Sequence, residues 1–174
     1  MTSYGVSNGT LHHRVETPAG LPSLTRARSI FAIIRQIIAD TPGDTMVFVV
    51  EGAAFGMASA SAQVDAGYLM AHFDLLAEEY GATVYVVPPS TLKKFVTGKG
   101  NTPKAEMALR VFKKWKIEFD RDPGCDKLMA YCLHRYGVAL LAGEIEHAAP
   151  KPRGQGRHAK ARIRKTARTM AGVG

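Results

Sequence analysis

Stretches with helical spacing and stretches with strand character succeed one another along this chain, and their order carries most of the architecture. Leu24, Ala27, Phe31, Ile34, Ile37 and Ile38 recur every three or four positions behind Ser23, which stands where a capping residue would, and Pro42-Gly43 follows. That spacing predicts an amphipathic helix over 24–39. Residues 46–50 form a β-branched and aromatic run without alternation, as in a strand covered on both faces, and it ends on Glu51. Over 58–80, Ala, Ser and Gly are interleaved with Val64, Leu69, Phe73 and Leu76, which reads as one long helix. Thr83–Val87 is a second buried strand, stopped by Pro88-Pro89 because proline has no N–H for the ladder. Ser90 is placed to cap a short helix reaching Phe95, Gly98-Lys99-Gly100-Asn101 is a turn, and Thr102-Pro103 opens a helix to about Lys114. A last helix begins near Gly124, carries Leu128, Met129, Cys132, Leu133 and Tyr136, and is weakened at Gly137. Ahead of all this, residues 4–7 and 11–15 flank Asn8-Gly9, a two-residue hairpin signal, with a first strand that looks cut short. The layout is α/β, without internal repeats.

With 174 residues, 46% of them apolar, the chain can build one domain with a sizeable core. Its apolar stretches are interrupted by charge or glycine, and no basic-then-apolar leader opens it, so a cytoplasmic protein without membrane span or export is expected. Cys125 and Cys132 lie on one expected helix at a spacing that a direct disulfide does not bridge, which fits a reducing compartment. The net charge of +8 refines this picture, because it is not spread evenly. Residues 1–149 hold 15 Lys/Arg and all 15 Asp/Glu, whereas 150–174 hold eight Lys/Arg and no acid. The expected organisation is therefore a domain over 1–147 and a basic, disordered tail over 148–174 that serves as a nucleic-acid arm.

Three groups of residues can carry chemistry. Glu51 follows five apolar residues at the C-terminal end of a strand, where open α/β sheets bind ligands. Asp120, Asp122 and Asp126 fall within seven residues before a helix that must pack on the sheet. Singly, each would only complement a helix dipole. Together with Glu51 they supply the oxygen ligands that hard divalent cations require, and two-metal sites need several such carboxylates converging from different elements. The segment 91–104, Thr-Leu-Lys-Lys-Phe-Val-Thr-Gly-Lys-Gly-Asn-Thr-Pro-Lys, contains Lys93, Lys94, Lys99 and Lys104 and no acid. Its Gly-Lys-Gly turn lets backbone amides approach a phosphate ahead of a helix N-terminus. The Gly-Lys-Ser/Thr ending of a P-loop is missing, so a phosphodiester backbone is the expected ligand rather than a nucleotide.

The order strand-Glu51, then the lysine-rich turn, then Asp126-Lys-Leu-Met-Ala resembles the RuvC-like Holliday-junction resolvases, particularly the bacteriophage type, over roughly 3–142. The resemblance implies an RNase H-like mixed sheet flanked by helices, a homodimer, and cleavage of four-way or branched DNA with two Mg2+ ions, or Mn2+. Under it, Glu51 and Asp126 are metal ligands and catalytic residues, with Asp122 a further ligand. Lys104 stabilises charge at the cleaved phosphate, Lys93, Lys94, Lys99 and Lys104 bind DNA, and Phe55 wedges the junction. The small residues Ala58, Ser59, Ala60, Ser61 and Ala62 suit either a dimer face or packing on the sheet.

Three departures qualify the match. Pro123 stands where the family usually has an acid or His three positions before the last Asp, with Asp122 the nearest substitute. Phe55 lies one residue further from Glu51 than in the best-known members. Ser3-Tyr4-Gly5-Val6 matches the segment that follows the family's first-strand Asp, so that Asp would lie before Met1: either the start has been placed at an internal methionine or the variant is shortened. The two functional expectations are thus a metal-dependent junction nuclease and a noncatalytic junction- or DNA-binding protein.

Overall fold

The structure, a computed structural model, describes residues 2–18, 20–41, 46–52 and 60–147. In chain order the elements are β1 (Thr2–Ser7), β2 (His12–Thr17), α1 (Ser23–Ala39), β3 (Val47–Glu51), α2 (Ala60–Tyr80), β4 (Thr83–Val87), α3 (Pro89–Thr97), α4 (Lys104–Trp115) and α5 (Asp126–Leu141). This is the α/β layout expected from the periodicity, with differences at the element ends. Pro42-Gly43, Phe55, Ala58, Ser59 and the tail over 148–174 lie outside the described residues.

β1 and β2 are longer than expected and pair antiparallel with Ser7 opposite His12, so the hairpin loop spans four residues rather than two. The reason is the Asn8 side chain, whose Oδ1 accepts from the N–H of Thr10 (3.1 Å) and of Leu11 (2.8 Å) and so closes a wider loop, while Gly9 takes φ 94°. Ser23 is the first residue of α1, after Pro22, and makes no cap; Pro88 caps α3 and Pro89 opens it, leaving Ser90 inside. Proline starts both helices where serine was expected to, because its φ is already set for a helix start.

Among the described residues the strands form two ladders, one of each sense: β1 with β2 antiparallel, and β3 with β4 parallel from Val47 opposite Thr83 to Glu51 opposite Val87. A helix joins them, since α5 packs across β1, β2 and β3. With one hydrogen-bonded neighbour each among the described residues, β3 and β4 are unevenly covered: Val86 is 36% exposed and Val87 is fully buried.

The core is divided by β3. Phe48 packs with Ile30, Phe31, Ile34 and Leu76 from α1 and α2, whereas Val49 packs with Leu92, Met107, Val111 and Cys132 from α3, α4 and α5. Each fully buried aliphatic side chain contributes about 1.5–3 kcal/mol. Alternation along β3 places Val47, Val49 and Glu51 on the α5 side. Gly137 does not end α5, which runs four residues past it. A Cβ there would stand 2.8 Å from Val49 Cγ2, so the glycine lets helix and strand approach closely. At the other end of the helix, a Cβ on Gly5 would run into the Asp126 carbonyl, which brings β1 against the first turn of α5.

Candidate active site

The segment before α5 is unusually constrained. Lys116, Arg121 and Cys125 all take left-handed conformations, with φ of 59°, 53° and 57°. Cys125 is the cap residue of α5 and supplies no capping hydrogen bond. Asp122 does so instead: its Oδ1 accepts from Asp126 N–H at 2.8 Å and its Oδ2 from Leu128 N–H at 3.0 Å. Two of the orphan donors at the helix start are thereby satisfied by a carboxylate, which the helix dipole also favours. This capping fixes where Asp126 emerges.

The Asp126 carboxylate folds back over Gly124, whose missing Cβ would be 2.9 Å from Oδ2. Lys104, the first residue of α4, reaches the same place: its Nζ donates to Gly124 O at 2.6 Å. Glu51 arrives from the end of β3. Its side chain retains an opening to solvent, yet the surrounding protein raises its pKa above the ordinary glutamate value, desolvation being the main cause. Lys104 and Lys93 pull the pKa down and Asp126 pushes it up, so these four charges share one electrostatic neighbourhood.

The turn between α3 and α4 is held by hydroxyls. Thr97 Oγ1 contacts Lys93 O (2.8 Å) and Thr102 Oγ1 (2.7 Å), and Thr102, 2% exposed, donates to Lys99 O at 2.9 Å. Gly98 takes the left-handed conformation that ends α3. The turn thus fixes the ends of both helices and the positions of Lys93 and Lys104. Lys99 is exposed on the turn itself, while Lys94 lines an open groove with Thr91, Phe95, Tyr136, Ile145 and Glu146.

Arg14 has no place among the residues that the sequence singles out. Its Nε lies 3.1 Å from Asp126 Oδ2 and its Nη2 lies 3.2 Å from Glu16 Oε1. Asp126 Oδ2 and Arg14 Nε are both buried, and neither makes a hydrogen bond. The signal was present in β2: Val15 and Thr17 are buried, which puts Arg14 and Glu16 together on the opposite face. What strand periodicity lacks is the identity of the element lying on that face.

A carboxylate oxygen that makes no hydrogen bond, is held only by a guanidinium and lies in the electrostatic neighbourhood of a second carboxylate is a candidate oxygen donor for a divalent cation. Glu51 and Asp126 would be the two residues to offer oxygens to such an ion. Among the described residues no group of three His, Cys, Asp or Glu is placed to hold a metal ion. Asp122 has each oxygen engaged by a backbone amide, and Asp120 contributes its carbonyl to Lys127 Nζ at 3.3 Å.

No protein-family model matches the chain, and no curated protein matches it in sequence. Solved structures do match. RuvC from Thermus thermophilus has a TM-score of 0.59 at 21% identity, covering 76% of this chain and 78% of that one. T. thermophilus RuvC in complex with a Holliday junction substrate gives 0.59 at 20% identity, covering 76% and 79%. The chain thus shares the fold of RuvC over about three quarters of its length. Among the described residues, no helix is long and apolar enough to cross a membrane.

Proposed function

We propose that this chain is a divalent-metal-dependent endonuclease that cuts four-way or otherwise branched DNA, a junction resolvase of the bacteriophage type. The observation that carries the reading is the shared electrostatic neighbourhood of Glu51, Asp126, Lys93 and Lys104 on a RuvC-like fold. The solved relative bound to a Holliday junction supports the choice of substrate.

Glu51 and Asp126 hold the cation, Mg2+ or Mn2+, with two ions in the full form of the site. When bound, such ions supply a hydroxide nucleophile at neutral pH and stabilise the leaving oxygen. The chain's own residues do the rest. Asp122 caps α5 and so aims Asp126. Lys104, anchored on Gly124, and Lys93 neutralise the phosphate beside the carboxylates and offset charge that develops there. Lys94, Lys99 and the basic residues over 150–174 bind backbone phosphates farther out, Phe55 opens the junction, and a homodimer presents two such sites.

Asp126→Asn tests this reading. Cleavage of a synthetic four-way junction in Mg2+ should fall to background while junction affinity is retained, because affinity rests mainly on phosphate contacts. Wild-type cleavage by the variant would end the assignment. A second reading, a noncatalytic junction- or DNA-binding protein, is favoured by one observation: among the described residues no group of three His, Cys, Asp or Glu could hold a metal ion, and Arg14 already pairs with Asp126. Tight junction binding without cleavage products in either Mg2+ or Mn2+ would select it.

A further inference from the structure

The ion pair of Arg14 with Asp126 differs from an ordinary surface pair. The two side chains are only 22% and 20% exposed, so water screens them little, and the facing atoms Nε and Oδ2 have no other partner. A carboxylate that has lost most of its hydration needs a cation, and the nearest one belongs to the chain itself. Arg14 also has a second acid within reach. Glu16, two residues along β2 and on the same face, contacts Arg14 Nη2 at 3.2 Å and is 43% exposed. The guanidinium can therefore leave Asp126 without becoming a buried, unpaired charge.

Resting on Asp126 as a metal ligand, we infer that Arg14 is a built-in competitor for the metal position: it holds Asp126 in the metal-free protein, and a divalent cation must displace it toward Glu16. Arg14 is thus a positioning residue that sets the cation concentration at which the site loads. A guanidinium and a divalent ion brought to the same carboxylate oxygen repel each other, so occupancy by one disfavours the other. In the metal-free state the pairing also keeps Asp126 oriented, so the site is prepared for its ion before loading.

The test is Mn2+ binding by the full chain without DNA, followed by calorimetric titration, together with thermal melts with and without Mn2+. Arg14→Gln should bind Mn2+ roughly tenfold more tightly than the parent chain, the effect of freeing Asp126 from one half-buried ion pair. Without metal it should melt below the parent chain, and saturating Mn2+ should close that gap. Arg14→Lys keeps the charge and should stay near the parent affinity, which separates competition from mere loss of packing. Unchanged or weaker Mn2+ binding by a folded Arg14→Gln protein overturns the inference. Asp126→Asn runs in parallel. If it loses Mn2+ while Arg14→Gln gains nothing, the inference falls and the nuclease reading stands; if it binds Mn2+ like the parent chain, the metal-ligand reading fails and the competition fails with it.

Discussion

Asp122 offers the sharpest separation between holding the fold and doing chemistry. In Asp122→Ala the N–H groups of Asp126 and Leu128 lose acceptors at 2.8 Å and 3.0 Å, and Cys125 in the cap position has nothing to replace them. Losing a side-chain cap costs about 0.5–2 kcal/mol, and two bonds to one ionised acceptor place this site at the upper end, about 2 kcal/mol. In a domain of this size each 1 kcal/mol moves Tm by roughly 2–4 °C, so a fall of about 4–8 °C is expected. Asp122→Asn keeps one oxygen acceptor and should lose about half as much. Reversible urea unfolding gives the free energy directly, with an unchanged slope showing that the folded and unfolded ensembles are otherwise alike. Mn2+ titration of the Asn variant is the other arm. With Glu51 and Asp126 intact, its affinity should stay near that of the parent chain. An Ala variant as stable as the parent would refute the capping role, and an Asn variant that loses Mn2+ as Asp126→Asn does would make Asp122 a ligand.

Three other perturbations follow from the structure. Gly137→Ala gains roughly 1 kcal/mol of helix propensity but forces a methyl to 2.8 Å from Val49 Cγ2, an overpacking cost of about 1–3 kcal/mol, so net destabilisation is expected and Val49→Ala should relieve it; a more stable single variant would contradict the close helix-strand approach. His12 and His134 both have pKa values lowered from 6.5, mainly by burial, with His13 and Lys127 adding to the first and Arg135 and His12 to the second. The unfolded chain then binds more protons, so their stabilisation is full above about pH 6.5 and is lost as pH falls toward the lowered folded values; urea unfolding from pH 7.5 to 5 should show the decline, flatter in His134→Gln. Deleting 150–174 removes eight Lys/Arg and should weaken binding to every DNA structure, reducing the slope of log affinity against log salt by about 0.9 for each phosphate that the tail neutralises; an identical slope would make the tail's charge merely solubilising.

The local code of this chain is easy to read because each signal depends on near neighbours. The 3.6-residue spacing of Leu24 to Ile38 defines α1 to within one residue, Thr83–Val87 has the same bounds in the pattern and in the fold, and proline and glycine mark the start of α3 and the turn after it. Glu51 and Asp126 could be singled out because a lone carboxylate at a strand end and another at a helix start are conspicuous in the linear sequence. Other features depend on which surfaces meet, and linear periodicity carries no such term. The division into two ladders bridged by α5 is one. The approach of α5 to β3 is another: Gly137 looks like a flaw in a helix until Val49 is seen against it. Asp122 reads as a metal ligand in the sequence, and only the fold shows its two oxygens on the amides of its own helix start. Arg14 lies 112 residues from Asp126, and no pattern within β2 points to that partner. Sequence alone determined the elements and the charges available to the site; the tertiary packing decided which charges meet, because only folding brings β2, β3, α4 and α5 to one place.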